Sequence, residues 1–281
     1  MSKQVVIASP SYNDKIGGVI SLHYLAGILK RSGFDVAMYP FDYNGEISAY
    51  KTLLPDIEVK TIFDDVEKIV AIYPDVVHKN PIGASTVIRW LLHRPKFFND
   101  AEFTEGEYIF IHNEAHFAKN DPLLNKPRLK IYMQQHNIYF NKGIERPINN
   151  CAYIGKGFSY HQDLSWAVKA LCIDSLGHYE RAHVLNSCNY MLCADLHTFT
   201  VNHALQCGCV PVIIPPPNMC EEEFRDAREI NHGVAWGFDQ INEAKEMIPE
   251  GLLQIEAREK EGLETLKSFM GFLNDCVNSL H

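Results

Sequence analysis

Short apolar runs alternate along this chain with segments whose apolar positions recur at helical spacing, and Gly, Pro, Asn and Asp mark the joints. In the first half, residues 4–9, 35–39, 57–63, 68–73, 108–112 and 129–134 read as strands. Continuous apolar runs between turn residues are the pattern of strands covered on both faces. Residues 17–32 place Val19, Leu22, Ala26 and Leu29 on one helical face, and Gly33 ends that helix. Residues 84–93 read as a second helix. The stretch 137–150, with its Asn, Gly and Pro, interrupts the pattern, which then restarts. Strands are predicted at 151–154, 170–173, 190–193, 210–214 and 233–236, and helices at 176–186, 198–207, 220–228, 241–247 and 252–280. This alternation predicts an α/β fold with parallel sheets, arranged as two Rossmann-like domains with a ligand cleft between their strand ends.

Composition narrows the class. The chain has 281 residues, 46% hydrophobic and 22% charged, enough for two globular domains. No apolar run approaches the ~20 residues that span a bilayer. The N-terminus enters a strand without a signal-peptide core, so a cytoplasmic location is expected. The eight cysteines fall between Cys151 and Cys276 with no C-x-x-C pair, which predicts reduced, buried thiols and no metal site. A formal charge of −9 gives no general electrostatic footprint for nucleic acid. The clusters Lys126, Arg128, Lys130 and Arg89, His93, Arg94 read as solvated surface.

The richest stretch is residues 190–217, Y-M-L-C-A-D-L-H-T-F-T-V-N-H-A-L-Q-C-G-C-V-P-V-I-I-P-P-P. Strand, polar turn, short helix, Gly turn and buried strand follow one another. Asp195 or Thr198 can cap the helix and Gly208 can end it. An ordinary βαβ crossover explains the apolar runs and the Gly. It does not explain the polar set Asp195, His197, Thr198, Thr200, Asn202 and His203, which suits an anion at a helix N-terminus. Three further motifs stand beside it. N-D-K-I-G-G-V at 13–19 lets a ligand approach backbone, though a tight turn accounts for it equally. It is not G-x-G-x-x-G, and Asp42 comes too late for the dinucleotide position. Y-P-D-V-V-H-K-N-P-I-G-A-S-T-V-I-R-W-L-L at 73–92 is either a rigid loop or a site. Y-I-G-K-G-F-S-Y-H at 153–161 holds Lys156 between glycines, where it can meet a phosphate or simply solvent.

These motifs, in this order, resemble small bacterial and phage glycosyltransferases of the two-Rossmann-domain type called GT-B. One group of them carries a G-G-V turn, a Y-P-E-x-x-x-x-N-P loop before a V-x-R-W-L-L helix, a Y-x-G-K-G turn and a D-x-x-T-x-x-x-x-E-A-x-x-C-G-C-x-P-V segment. The resemblance spans residues 5 to about 217. It implies a nucleotide-sugar co-substrate, UDP- or GDP-linked, with no metal or other cofactor, and most simply a glycan acceptor. It also implies an acceptor domain at 1–145, a donor domain at 146–264, and a last helix, 265–281, that returns to the first domain.

Carried over by position, Gly17, Gly18, Gly155, Lys156, Asp195, His197, Thr198, Thr200 and His203 would bind the donor. Tyr12, Asn80 and Arg89 would face the acceptor, and Lys156, Asp75 and His78 would form the catalytic set. Lys156 would neutralise the leaving diphosphate. Two positions depart from the group: Asp75 and His203 stand where Glu is usual. The resemblance implies retention of configuration, for which no protein base is obligatory; an inverting enzyme would use Asp14, Asp75, His78 or His161. Tyr12, Asn80, Trp90 and Tyr160 are candidates to stack on or hydrogen-bond a sugar or a base. Rival readings are a phage enzyme glycosylating a hydroxymethylated DNA base, disfavoured by charge, a nicotinamide oxidoreductase, disfavoured by the missing fingerprint, and a non-catalytic nucleotide-sugar-binding protein.

Overall fold

The structure is a computed structural model, and it describes residues 3–41, 47–114, 117–132, 135–159, 161, 163, 165–167, 169–196, 198–226, 228, 230–279. The expected His197, Tyr160 and Asp42 lie outside the described residues. The chain divides into two compact units, Met1–Tyr132 with Glu259–His281, and Met133–Arg258. No described helix is long and apolar enough to cross a membrane.

The first unit is built on a six-stranded sheet in the order β3-β2-β1-β4-β5-β6. Its strands are β1 (Gln4–Ala8), β2 (Val36–Tyr39), β3 (Glu58–Val59), β4 (Ile69–Pro74), β5 (Thr86–Leu91) and β6 (Tyr108–Ile111). Every pairing is parallel, with Val5 in register with Val36 on one side and Val70 on the other. Helix α1 (Gly17–Arg31) buries the predicted face of Val19, Leu22, Ala26 and Leu29. It ends as expected at Gly33, where φ is +91° and the N–H groups of Gly33 and Phe34 reach Lys30 and Leu29.

The segment expected as a helix at 84–93 is strand β5. Its V-I-R-W-L run imitates a helix with one polar face, but Arg89 points into the fold and is fully buried. All five of its donors are used: Nε and Nη2 on Glu107, Nη1 on the carbonyls of Pro74 and Val77, and Nη2 on that of Lys79. Against the upward push of burial, Arg89 and Thr104 hold the Glu107 carboxyl below its ordinary value. The 74–79 backbone that links adjacent parallel strands therefore has a guanidinium as partner where a crossover helix would satisfy its own carbonyls. Arg89 is thus a strut and not an acceptor contact. The expected strand at 129–134 is also absent among the described residues, leaving only a bridge between Ile111 and Arg128.

The second unit carries a five-stranded parallel sheet, β11-β10-β9-β7-β8. The strands are β7 (Ile148–Tyr153), β8 (Leu171–Cys172), β9 (Cys188–Cys193), β10 (Val210–Ile213) and β11 (Ala235–Trp236). Helices α2 (His178–Ser187), α3 (Thr200–Gln206), α4 (Glu221–Asp226) and α5 (Ile241–Glu246) connect or cover them. Neither Asp195 nor Thr198 is the N-cap of α3; that position is Phe199, with no side-chain cap bond. The predicted Gly208 does end α3: φ is +72°, and the N–H groups of Gly208 and Cys209 reach Leu205 and Ala204. The thiols are free, but Cys172 and Cys220 are exposed and not buried as expected.

Helix α6 (Ile248–Asn278) runs from the second unit into the first at Glu259. Within the first unit it is anchored by the buried Lys130 ammonium, 2.7 Å from Glu261 and 2.9 Å from Glu114. Phe269 and Phe272 also meet Phe110 there, at 5.0 and 5.3 Å between ring centroids. Replacing Arg89 by Ala should cost about 3–5 kcal/mol, because it strands the Glu107 carboxylate; denaturant unfolding of the variant measures it. Arg89→Lys should recover little of this, since an ammonium cannot span the same set of acceptors.

Candidate functional site

In each sheet the chain reverses its direction of growth at one place. The order of the first sheet puts this between β1 and β4, and that of the second between β7 and β9. Crevices outside the carboxyl ends of strands at such points are where open α/β sheets hold ligands, because the loops diverge there and helix N-termini converge.

At the β1/β4 point, the loop from Ser9 to Ile16 is propped from below. The Tyr50 hydroxyl donates to the carbonyls of Ser9 and Pro10. His23 takes Leu53 N–H on Nδ1 at 3.3 Å, which makes Nε2 the donor to the Pro10 carbonyl at 3.0 Å. Burial lowers its pKa, in keeping with that neutral tautomer. Tyr12 meets the His23 ring edge-on at 5.3 Å. Gly17 and Gly18 open α1, whose N-cap Ile16 supplies no side-chain cap, which leaves first-turn N–H groups for solvent or an anion. A Cβ on Gly17 would meet nothing within 4 Å, whereas one on Gly18 would press on Leu92 at 3.3 Å.

Asp75 follows β4 and is buried; its Oδ1 accepts the N–H groups of Leu92 and His93 at 3.0 and 3.2 Å. Burial pushes its pKa up to about 6, with those amides opposing. His78 stands outside this group, solvent-exposed, with Nδ1 on the Glu102 N–H. Asn80 is occupied in its own turn: Oδ1 accepts from Tyr73 and the N–H groups of Gly83 and Ala84, and Nδ2 donates to the Ala84 carbonyl. Trp90 is fully buried, its Nε1 on the Leu129 carbonyl.

At the β7/β9 point, the turn Gly155–Lys156–Gly157 is held by two carboxylates. Asp174 accepts from the N–H groups of Ile154 and Gly155 at 2.9 and 2.6 Å, and Asp195 from that of Lys156 at 3.0 Å. Gly155 sits at φ +52°, where a Cβ would also meet Asp195, and a Cβ on Gly157 would collide with Ala194. Lys156 is exposed at the tip. Thr198 Oγ1 accepts the Thr200 N–H at 3.1 Å, ordering the approach to α3.

Two arginines that sequence reasoning missed come to the same place. Arg181 donates to the carbonyls of Asp174 and Leu176 and lies over the Tyr153 ring at 5.7 Å. Arg228 donates to the Leu196 carbonyl at 2.7 Å, and burial lowers its pKa to about 10. Neither has a motif around it; only the return of α2 and of the segment after α4 brings them in.

His203 does not reach this turn as a hydrogen-bonding group. It lies buried and parallel to the Tyr139 ring at 3.7 Å, and neither ring nitrogen has a hydrogen-bond partner among the described residues. Burial, then His178 and Arg181, lower its pKa well below the ordinary value. His161 is buried too, though Asp14 is exposed. A groove of about 630 Å³ lies instead along β6 and the carboxyl-terminal half of α6, between Tyr108, Phe110, Arg128 and Phe272, and none of the candidate site residues lines it.

No family model matches the sequence, and no curated protein is detectably similar to it. Solved structures do align with the chain. An alpha-glucosyltransferase (AGT) in complex with UDP aligns over 94% of this chain and 95% of its own, at 10% identity and a TM-score of 0.44. The spinosyn forosaminyltransferase SpnP aligns over 99% and 100%, at 11% identity and a TM-score of 0.46. An alpha-glucosyltransferase with UDP and a 13-mer DNA containing a HMU base covers 95% of each chain at 10% identity and a TM-score of 0.43.

The buried imidazoles set an acid limit. His203 stays neutral in the folded state, while in the unfolded chain it takes a proton as pH falls through about 6.5. Its contribution is therefore fully present above that pH and is lost below it. Asp75 has the opposite sign, since its folded pKa of about 6 exceeds the unfolded one. His203→Phe, which keeps the stack on Tyr139, should flatten the loss of stability below pH 6.5 by up to about 1.4 kcal/mol per pH unit. Asp75→Asn keeps an oxygen for both amides and should stabilise above pH 6 by on the order of 1–3 kcal/mol. Denaturant titrations across pH 4.5 to 8 read both effects.

Proposed function

We propose that this chain is a nucleotide-sugar-dependent glycosyltransferase, with the donor diphosphate held at the β7/β9 point and the acceptor hydroxyl at the β1/β4 point. The observation that carries the reading is the Gly155–Lys156–Gly157 turn: two glycines that tolerate no side chain, fixed by Asp174 and Asp195, presenting a lysine. A turn so constrained fixes the backbone point from which the lysine reaches, so only the side chain's own rotamers remain to be ordered on binding. Arg181, bonded to the Asp174 carbonyl, and Arg228, bonded to the Leu196 carbonyl beside Asp195, add positive charge next to the two carboxylates that hold the turn.

The chemistry asks mainly for charge stabilisation. Breaking the glycosidic bond to the diphosphate leaves negative charge on its terminal oxygens, and each preorganised donor aimed there is worth on the order of 3 kcal/mol in the transition state. Lys156 supplies one such donor, and no metal is required by this scheme. In a retaining course the departing phosphate oxygen takes the acceptor proton. Asp75 is the group suited to be base in an inverting course, because a carboxyl with a pKa near 6 is ionised and still basic at neutral pH. The donor is UDP- or GDP-linked, and the acceptor is a glycan.

A second reading, a non-catalytic nucleotide-sugar-binding protein, is favoured by one observation. His203 is neutral and packed on Tyr139, so it does not replace the hydroxyl-accepting carboxylate found at that position in the resembling group. Donor binding without transfer or hydrolysis distinguishes it.

Thermal unfolding against UDP-sugars, GDP-sugars and NAD(P) tests the proposal. A ligand at 100 times its Kd adds about 2.7 kcal/mol, a clear rise in Tm. Lys156→Ala should abolish the rise with one sugar nucleotide. If no sugar nucleotide raises the Tm, the donor site is refuted. Gly17→Ala meets no steric obstacle and should hold or slightly raise stability; loss of transfer in that variant, measured as kcat/KM, places the helix opening against substrate.

A further inference from the structure

The loop after β5 carries a feature that neither the fold nor the site described above uses. Its root and its far end are both tied to the segment around Asp75. Leu92 and His93 donate to the Asp75 carboxylate, and Asn99 Nδ2 donates to the Val76 carbonyl at 2.8 Å. Between these anchors the chain turns through Lys96 at φ +61° and presents two adjacent phenylalanines. Phe97 and Phe98 are 48% and 58% exposed, large for aromatic residues in a pinned loop. They are not loose. Phe97 stacks on His93 at 3.9 Å between centroids, Phe98 meets Phe97 edge-on at 4.8 Å, and the Arg94 guanidinium lies 5.1 Å from the Phe97 ring centre.

Single exposed apolar side chains need no explanation, but two contiguous rings packed on each other and on His93 in the loop after β5 do. We propose that Phe97 and Phe98 are a stacking platform for a ring of a neutral saccharide acceptor. This rests on the transferase reading above and extends it to the acceptor. A pyranose has an apolar C–H face and a rim of hydroxyls; the face suits the phenyl rings, and Arg94 supplies donors to the rim. Local charge favours an uncharged ring. Arg94 and Lys96 are followed in the same loop by the exposed acids Asp100, Glu102 and Glu105, with Lys79 3.5 Å from Glu102, so the loop lacks the net positive charge that a polyanion such as DNA or an anionic bilayer requires.

The test uses the full chain and its variants Phe97→Ala, Phe98→Ala and Phe98→Trp. Binding is measured on arrays of neutral gluco-, galacto- and manno-oligosaccharides, then by titration of the best binder, alongside single-stranded and duplex DNA oligonucleotides and phosphatidylglycerol vesicles. The expected result is saccharide binding weakened about ten-fold or more in each Ala variant and retained in Phe98→Trp. Apo Tm and the donor-induced Tm shift should not change. No saccharide binding by the unaltered chain, equal binding by the Ala variants, or binding to DNA or vesicles that depends on these rings would each overturn the proposal. A donor shift that persists while the saccharide result fails sinks the platform alone. A missing donor shift with ring-dependent saccharide binding sinks the transferase reading instead.

Discussion

A parallel sheet buried on both faces must satisfy every backbone polar group inside the protein, and that demand governs this molecule. Along the strands, neighbouring strands meet it. At the carboxyl ends, where the loops part, other partners are needed. Asp174 and Asp195 serve the amides of Ile154, Gly155 and Lys156, and Asp75 serves those of Leu92 and His93. The carboxylates that finish the sheets therefore also set the charge at the two points where strand order reverses. Structural need and candidate chemistry fall on the same side chains.

The same demand explains the unusual second half of the first unit. Adjacent parallel strands are commonly joined through a helix, which satisfies its own backbone. Between β4 and β5 the connection has no helix, and Arg89 acts in its stead from within the sheet. Burying a guanidinium is costly unless every donor is met and the charge is paired. Glu107 and three carbonyls meet both conditions. Freed from helical geometry, the loops after β4 and β5 bond directly to each other, and Phe97 and Phe98 lie between those bonds.

Burial of imidazoles follows another logic. His23 is satisfied on both nitrogens and supports a loop, whereas His203 has traded hydrogen bonds for a face-to-face stack on Tyr139. A ring in that position is an aromatic packing element in all but its acid behaviour. The position that a resemblance marks for a donor contact is thereby turned inward.

By itself the sequence determined the α/β class, most of the strands, the α1 face and the Gly33 and Gly208 helix ends, because these depend on local period and on φ. It also marked the G-K-G turn and Asp75 as chemically unusual. It could not separate a buried strand from an amphipathic helix at 84–93, since a run with one inward cation has the same pattern as a helix with one polar face. Nor could it tell that Asn80 and Arg89 hold the fold, or that His203 is stacked, or that Arg181 and Arg228 bond to the carbonyls of Asp174 and Leu196 at the β7/β9 strand ends. Those outcomes depend on which distant groups arrive within hydrogen-bonding reach. Only the order of strands in each sheet, a tertiary property, decides that.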